Sequence, residues 1–186
     1  FKDLKSTYSS GRQRKTEIRI FDDVDVKKVV VKNSKLYVNR EDGFIGTSLR
    51  REEYVEDCSD IDDIIVFTSN GDMIVTKVDS KKFVAKNILY VSVFKKRDSR
   101  TIYNMIYKEG KSGVSYIKRF NVTGVTRDKT YNLTSQNPKT KILHFSANPN
   151  GEAEIVTIQL RQSGSIKKLK WDLDFADLAI KGRSVK

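Results

Sequence analysis

The chain has 186 residues, a length at which one domain can bury a hydrophobic core without disulfides or metals. Its 36 lysines and arginines against 24 acids give a formal net charge of +12, which favours a polyanion as partner. The single cysteine excludes an intramolecular disulfide, and the sequence has no run of about 18 apolar residues and no signal peptide. We therefore expect a cytoplasmic protein that does not enter a membrane.

The first twenty residues are predicted to be a short helix followed by a linker. Phe1, Leu4 and Tyr8 are spaced as on one helix face, and Gly11 ends that pattern. Because the sequence starts at Phe1 without a methionine, we expect a fragment of a longer protein. Residues 1–20 are interpreted as the linker and residues 21–186 as one domain, cut short at its C-terminal end.

From Ile18 onward, short runs rich in Val, Ile, Phe and Tyr alternate with turn residues, which is typical of strands. One hairpin unit recurs at 35–49, 64–78, 101–120 and, more weakly, 153–173. The first two copies turn at Asp42-Gly43 and Asn70-Gly71, dipeptides that favour tight hairpins. Recurrence at this spacing predicts an all-β, propeller-like array of about four blades.

Two single apolar runs, 88–94 and 141–146, lie between hairpins. Each is expected to add a further strand to its blade. The sequence ends soon after the fourth hairpin, so the last blade is expected to be incomplete or to be finished by a strand from elsewhere.

Candidate catalytic residues are few. The only histidine, His144, lies in an apolar run, where a packed residue is more common than a general base or a metal ligand. Cys58 is flanked by Glu56, Asp57 and Asp60, whose charge raises a thiol pKa. The acidic residues lack calcium-loop spacing, and no glycine-rich phosphate loop is present. We predict no catalytic site, no metal and no cofactor in this chain.

The basic residues cluster in turns and directly after hairpins. Equivalent turns of a repeat lie along one rim, so these charges are expected to form a stripe that follows a phosphate backbone. Binding of this kind is salt-dependent and largely blind to sequence, and no recognition helix or zinc finger that would read bases is present. The candidate DNA-binding residues are Arg50, Arg51, Lys77, Lys81, Lys82, Lys86, Lys118, Arg119, Arg127, Lys129, Lys167, Lys168, Lys181 and Arg183.

Several strings resemble the C-terminal β-pinwheel domain of the A subunit of bacterial type IIA topoisomerases. They are Leu4-Lys5 with Tyr8, 14–18, 67–71, Lys77-Val78, 85–88, 116–119 and 181–183. The resemblance implies a β-pinwheel of four-stranded blades and double-stranded DNA that bends around its rim on the basic turns. It also implies a parent A2B2 isomerase that uses Mg²⁺ and ATP in regions outside this chain. The protein partner that it implies is the B subunit of that enzyme.

The first blade departs from the gyrase pattern. Where gyrase carries a basic, glycine-rich box, this chain has Tyr54-Val55-Glu56-Asp57-Cys58-Ser59-Asp60. The resemblance is therefore closer to topoisomerase IV, and we expect DNA to be bent less at this blade than elsewhere. A gyrase-type wrapping domain and a propeller-like protein-interaction module remain the alternatives.

Overall fold

A computed structural model describes residues 1–8, 32–135, 137–162, 164 and 167–183. The chain divides into two compact units, residues 1–31 and 32–186. In the first unit, α1 (Lys2–Tyr8) confirms the predicted helix, and all of its side chains are exposed. The predicted domain boundary after residue 20 and the string 14–18 lie outside the described residues.

The second unit is built from strands, so the predicted all-β fold is confirmed. The strands are β1 (Ser34–Asn39), β2 (Phe44–Gly46), β3 (Glu53–Cys58), β4 (Asp63–Thr68), β5 (Asp72–Lys77), β6 (Lys82–Phe83), β7 (Ile88–Phe94), β8 (Ile102–Lys108), β9 (Ser115–Asn121), β10 (Thr130–Asn132), β11 (Lys141–Asn148), β12 (Ile155–Gln159), β13 (Lys170–Asp174) and β14 (Lys181–Gly182). A single 3-10 turn, η1 (Phe175–Asp177), follows β13.

The four predicted hairpins are present as β1–β2, β4–β5, β8–β9 and β12–β13. Gly43 and Gly71 have φ values of 82° and 87°, the left-handed region that glycine adopts without strain. Asp42 and Asn70 do not have positive φ, so the turns are not the two-residue type that the dipeptides favour. Each turn is longer and ends on its left-handed glycine.

Each of the first three hairpins is extended to a four-stranded sheet by one strand on either side, although β14 is parallel to its neighbour whereas β6 and β10 are antiparallel to theirs. Sheet A has the order β3-β1-β2-β6, sheet B the order β10-β5-β4-β7, and sheet C the order β11-β8-β9-β14. The strand beside each first hairpin strand is β3, β7 or β11, which confirms the strands predicted at 88–94 and 141–146. The strand beside each second hairpin strand is β6, β10 or β14, and it comes from beyond the next hairpin. Consecutive repeats are therefore interlocked, in a pinwheel-like arrangement.

The fourth hairpin, β12–β13, forms a two-stranded sheet within the described part of the chain. Its strands lie within the predicted range 153–173 or end one residue beyond it.

Sheet B lies between sheets A and C, and both faces of its strand β4 are therefore buried. Side chains alternate between the two faces of a strand, so neighbouring β4 residues enter different cores. Ile64 and Val66 pack in one cluster with residues of sheet A such as Leu36. Ile65 and Phe67 pack in a second cluster with residues of sheet C, including Tyr103 and Phe120.

Candidate nucleic-acid interface

The two edges of the stacked sheets differ in charge. The basic edge is defined by β6, β10 and β14 with their flanking residues, namely 81–86, 127–132 and 181–183, and the opposite edge by β3, β7 and β11. Seven predicted DNA-binding residues lie on the basic edge: Lys81, Lys82, Lys86, Arg127, Lys129, Lys181 and Arg183. The strands of the opposite edge carry three acids in β3, no charged residue in β7, and Lys141 and His144 in β11, while the exposed Lys95, Lys96 and Arg97 directly follow β7.

Contacts between Lys82 and Asp128 join sheets A and B along the basic edge. The Lys82 ammonium donates to Asp128 Oδ1 at 2.7 Å and to the Thr76 hydroxyl at 2.6 Å. Asp128 has a φ of 59°, a left-handed conformation that costs about 1 kcal/mol or more in a non-glycine residue. Its backbone N–H donates to the Val75 carbonyl at 2.8 Å, which helps to hold that conformation. The hydrogen bond from Lys82, followed by that from Thr76, lowers the pKa of Asp128.

Tyr131 joins sheets B and C along the same edge. The guanidinium carbon of Arg183 lies 4.1 Å from the Tyr131 ring centroid, and the Lys129 ammonium lies 5.5 Å from it, both within cation–π range. The Tyr131 hydroxyl accepts a hydrogen bond from the Thr126 backbone N–H at 2.9 Å. That hydrogen bond lowers the pKa of Tyr131, as do the charges of Arg183 and Lys129. The basic edge is therefore continuous across three sheets.

Part of the positive charge on this edge is already paired. Arg127 Nε lies 2.7 Å from Asp63 Oδ1, although the Arg127 side chain is still 57% exposed. The Lys82 side chain is 35% exposed beside Asp128. Lys81, Lys86, Lys129 and Lys181 are exposed. These four lysines are the positive groups of the basic edge that are best placed to meet phosphates.

The structure corrects the expected placement of Lys118 and Arg119. Both lie within β9 and not in a turn, and they are only 7% and 9% exposed. Lys118 Nζ donates to the carbonyls of Leu133 at 3.2 Å and Arg183 at 2.6 Å. The Arg119 guanidinium donates to the carbonyls of Phe175 at 3.0 Å and Gly151 at 3.1 Å. Because burial and these acceptors keep both cations from the surface, we leave them out of the interface.

The remaining predicted residues are exposed but do not belong to the three strands of the basic edge or their flanking residues. Arg50 and Arg51 are in the loop after β2, and Lys77 ends β5 opposite Asp63. Lys167 and Lys168 precede β13 in the fourth hairpin.

His144 and Cys58, which the sequence did not favour as catalytic residues, have different surroundings in the structure. His144 is not a buried core residue, because its side chain is 30% exposed and its Nε2 lies 3.0 Å from Glu154 Oε1. Glu154 also accepts from Asn104 and from Ser146, and its pKa is lowered by these hydrogen bonds despite its partial burial. Cys58 is buried, and burial raises the pKa of its thiol. Among the described residues, no group of three or more His, Cys, Asp or Glu side chains is placed to hold a metal.

The sequence patterns did not indicate Asp128, Tyr131 or Phe83 as residues of the interface. Phe83 lies in β6 and is 53% exposed. The available signal was positional: Phe83 and Asp128 follow their hairpins at a similar distance and are adjacent to the predicted residues Lys82 and Lys129, and Tyr131 is two residues from Lys129. In the described part of the chain, no helix has the length and apolar content needed to cross a membrane.

The chain is similar in sequence to known proteins. The family described as "Topoisomerase C-terminal domain, Bacteroidota" matches residues 35–186. The chain is 33% identical over 147 residues to the A subunit of DNA topoisomerase 4 from Borreliella burgdorferi, an alignment that covers 78% of this chain and 23% of that protein. No solved structure matches the chain.

Proposed function

The chain belongs to the bacterial topoisomerase C-terminal domain family, and from this premise we propose that its basic edge binds and bends duplex DNA without regard to sequence. The observation that carries the proposal is the continuity of the basic edge, where Lys82–Asp128 and Tyr131–Arg183 contacts join consecutive sheets. Exposed lysines along such a line neutralise successive phosphates and release their counterions.

The chain spans only 23% of the length of its relative, so the protein to which it belongs is proposed as well. We infer a parent topoisomerase IV-like A subunit in the bacterial cytoplasm, paired with a B subunit in an ATP-dependent strand-passage enzyme. The Mg²⁺ and ATP of that reaction would be held outside this chain. The chain itself would supply no catalytic group, and its role would be to present DNA to the enzyme.

Topoisomerase IV is preferred to gyrase for two reasons. The relative is the A subunit of a topoisomerase 4, and the segment 54–60 is acidic where gyrase carries its basic box. The parent enzyme should therefore relax and decatenate DNA. Introduction of negative supercoils into a relaxed plasmid by the parent would instead support the wrapping role of gyrase.

Duplex binding can be tested with the 186-residue chain and two fluorescent duplexes of unrelated sequence. Fluorescence anisotropy should give the same affinity for both duplexes, and energy transfer between the duplex ends should rise on binding as the DNA bends. A chain that does not bind, or that strongly prefers one sequence, would contradict the proposal.

A pair of variants tests the position of the interface. Lys81, Lys129 and Lys181 changed together to Glu should weaken binding by about tenfold or more at 0.1 M salt, because three phosphate contacts become repulsive. The matched control changes Lys35, Lys108 and Lys141 to Glu, which are exposed lysines of β1, β8 and β11. The control should bind within about threefold of the unchanged chain, since only the general charge term remains.

A further inference from the structure

Phe83 is the more exposed of the two aromatic residues among the described residues of the basic edge. Its side chain is 53% exposed, although it forms half of the two-residue strand β6. Tyr131, the other aromatic residue among the described residues of the basic edge, is only half-buried and has Arg183 and Lys129 against its ring. The Phe83 ring is thus an exposed apolar group among the lysines of this edge.

The backbone and one neighbouring ring hold Phe83 in place. Phe83 pairs with Phe44 in the register of β2 and β6, and the two rings meet edge to face with centroids 5.5 Å apart. The next residue, Val84, donates its backbone N–H to the Gly43 carbonyl at 2.9 Å. A Cβ at Gly43 would lie 2.3 Å from the Ala85 carbonyl oxygen, so only glycine permits this close approach. A side chain held in this way loses little further freedom when it contacts a partner.

Lysines lie close to Phe83 in the sequence of the same edge. Lys81 is two residues before Phe83, and its ammonium lies 4.6 Å from the Phe44 ring centroid. Lys82 projects to the other face, toward Asp128, and Lys86 follows as an exposed residue. Cations placed on either side of an apolar ring are suited to hold two phosphates while the ring meets the base step between them.

The aromatic pair is a feature of sheet A. In sheet B the pair that directly follows the turn glycine is Asp72 and Asn132, whose side chains are joined by a hydrogen bond of 2.8 Å. That pair is polar and offers nothing that could enter between bases. The same edge therefore has a projecting apolar group at one sheet and a hydrogen-bonded polar pair at the next.

We propose that Phe83 is a wedge that partly unstacks one base step of the duplex bound along the basic edge. Apolar side chains inserted at a base step kink DNA by roughly 20–90°, and flexible pyrimidine–purine steps yield most easily. The wedge rests on the proposed function, since it acts only on DNA that the lysines already hold. It places a bend at sheet A, where the acidic segment 54–60 led us to expect the least bending.

The test uses the full 186-residue chain and a duplex that carries 2-aminopurine at TA steps, because the fluorescence of this base rises when it unstacks. The unchanged chain should raise that fluorescence and bend the duplex. Phe83→Ala should lose the fluorescence rise and bend less while retaining its affinity to within about tenfold, because the phosphate contacts remain. Phe83→Leu, which keeps an apolar wedge, should retain part of both signals.

Tyr54→Ala is the matched control, because Tyr54 is a 50% exposed aromatic residue on the opposite edge. It should leave both signals unchanged. An unchanged chain that binds and bends DNA without raising the 2-aminopurine fluorescence would overturn the wedge and leave the proposed function intact. An equal signal from Phe83→Ala would do the same, whereas failure of the unchanged chain to bind DNA would overturn both.

Discussion

The basic edge and the opposite edge arise from the same repeat, yet they are held together by different forces. On the opposite edge, the Tyr90 ring of β7 lies 5.7 Å from the Phe145 ring of β11. Glu56 of β3 accepts from the Ser92 hydroxyl at 2.8 Å and from the Val93 backbone N–H at 2.7 Å. Burial raises the pKa of Tyr90.

The basic edge depends on short strands and on exposed polar contacts. Its strands have two or three residues each, and its links between sheets are Lys82–Asp128 and Tyr131–Arg183. Exposed ion pairs contribute at most about 1 kcal/mol to folding. The difference indicates that fold stability resides at the core and the opposite edge, while the basic edge can change its charge with little effect on the fold.

The largest effect on stability is expected at Phe67, which is fully buried between the sheets. Its ring centroid lies 4.7 Å from that of Phe145 and 4.8 Å from that of Tyr103. Phe67→Ala should lower the free energy of unfolding by about 3–5 kcal/mol in chemical denaturation followed by circular dichroism. Leu143→Ala, at an exposed β11 position, is the control and should cost less than about 0.5 kcal/mol. A Phe67 variant of near-normal stability would contradict the claim that the fold is stabilised mainly at the core.

An intermediate effect on stability is expected at Arg119, and the same variant tests whether Arg119 lies outside the DNA interface. Arg119→Met leaves the carbonyls of Phe175 and Gly151 without their donor and should cost about 1–3 kcal/mol of stability. Duplex binding by the folded variant should keep its salt dependence, because Arg119 does not touch a phosphate. The exposed control Arg51→Met should leave stability unchanged. Weakened binding at full stability would return Arg119 to the interface.

The smallest effect on stability is expected at Asp128, whose removal should strengthen DNA binding. Asp128→Asn frees Lys82 and adds one positive charge to the basic edge, so anisotropy should show affinity rising by about threefold. Asp57→Asn makes the same charge change on β3 and should raise affinity less. Equal gains from the two variants would show that general charge, and not the basic edge, controls binding.

The same variant has a defined pH dependence. The pKa of Asp128 is lowered from its ordinary value of 3.8, so the carboxylate stabilises the fold above that value. This contribution should disappear as the pH falls through the lowered pKa. The stability difference between the unchanged chain and Asp128→Asn should be less than about 1 kcal/mol at neutral pH and should vanish in acid.

The hairpins could be predicted from sequence because two strand-like runs, such as 64–68 and 72–78, lie on either side of a turn with a glycine that needs positive φ. The strands β7 and β11 were predictable as apolar runs. The short strands β6, β10 and β14 could not be predicted, because two or three residues carry no recognisable hydrophobic pattern. Each of them also pairs with a strand on the far side of an intervening hairpin, and this long-range pairing leaves no local signal. Most basic residues of the basic edge were nevertheless among the predicted DNA-binding residues, since lysines recur at the same place after successive hairpins.

The misplaced basic residues and the misplaced histidine have a common physical cause. Lys118 and Arg119 were selected for their charge, but their acceptors are carbonyls such as Leu133 and Phe175, which the fold brings together from 15 and 56 residues away. His144 was expected in the core, but Glu154, ten residues along the chain, draws it into a polar cluster. Neither pairing leaves a local signature in the sequence.

The most direct test of the proposed DNA path is the salt dependence of duplex binding by two triple variants. The first changes Lys81, Lys129 and Lys181 to Gln, and the second makes the same change at Lys35, Lys108 and Lys141. The slope of log affinity against log salt should become shallower by roughly 0.9 for each phosphate that the first variant no longer neutralises. It should stay unchanged in the second. Equal slopes for the two variants would contradict the claim that DNA lies along the basic edge.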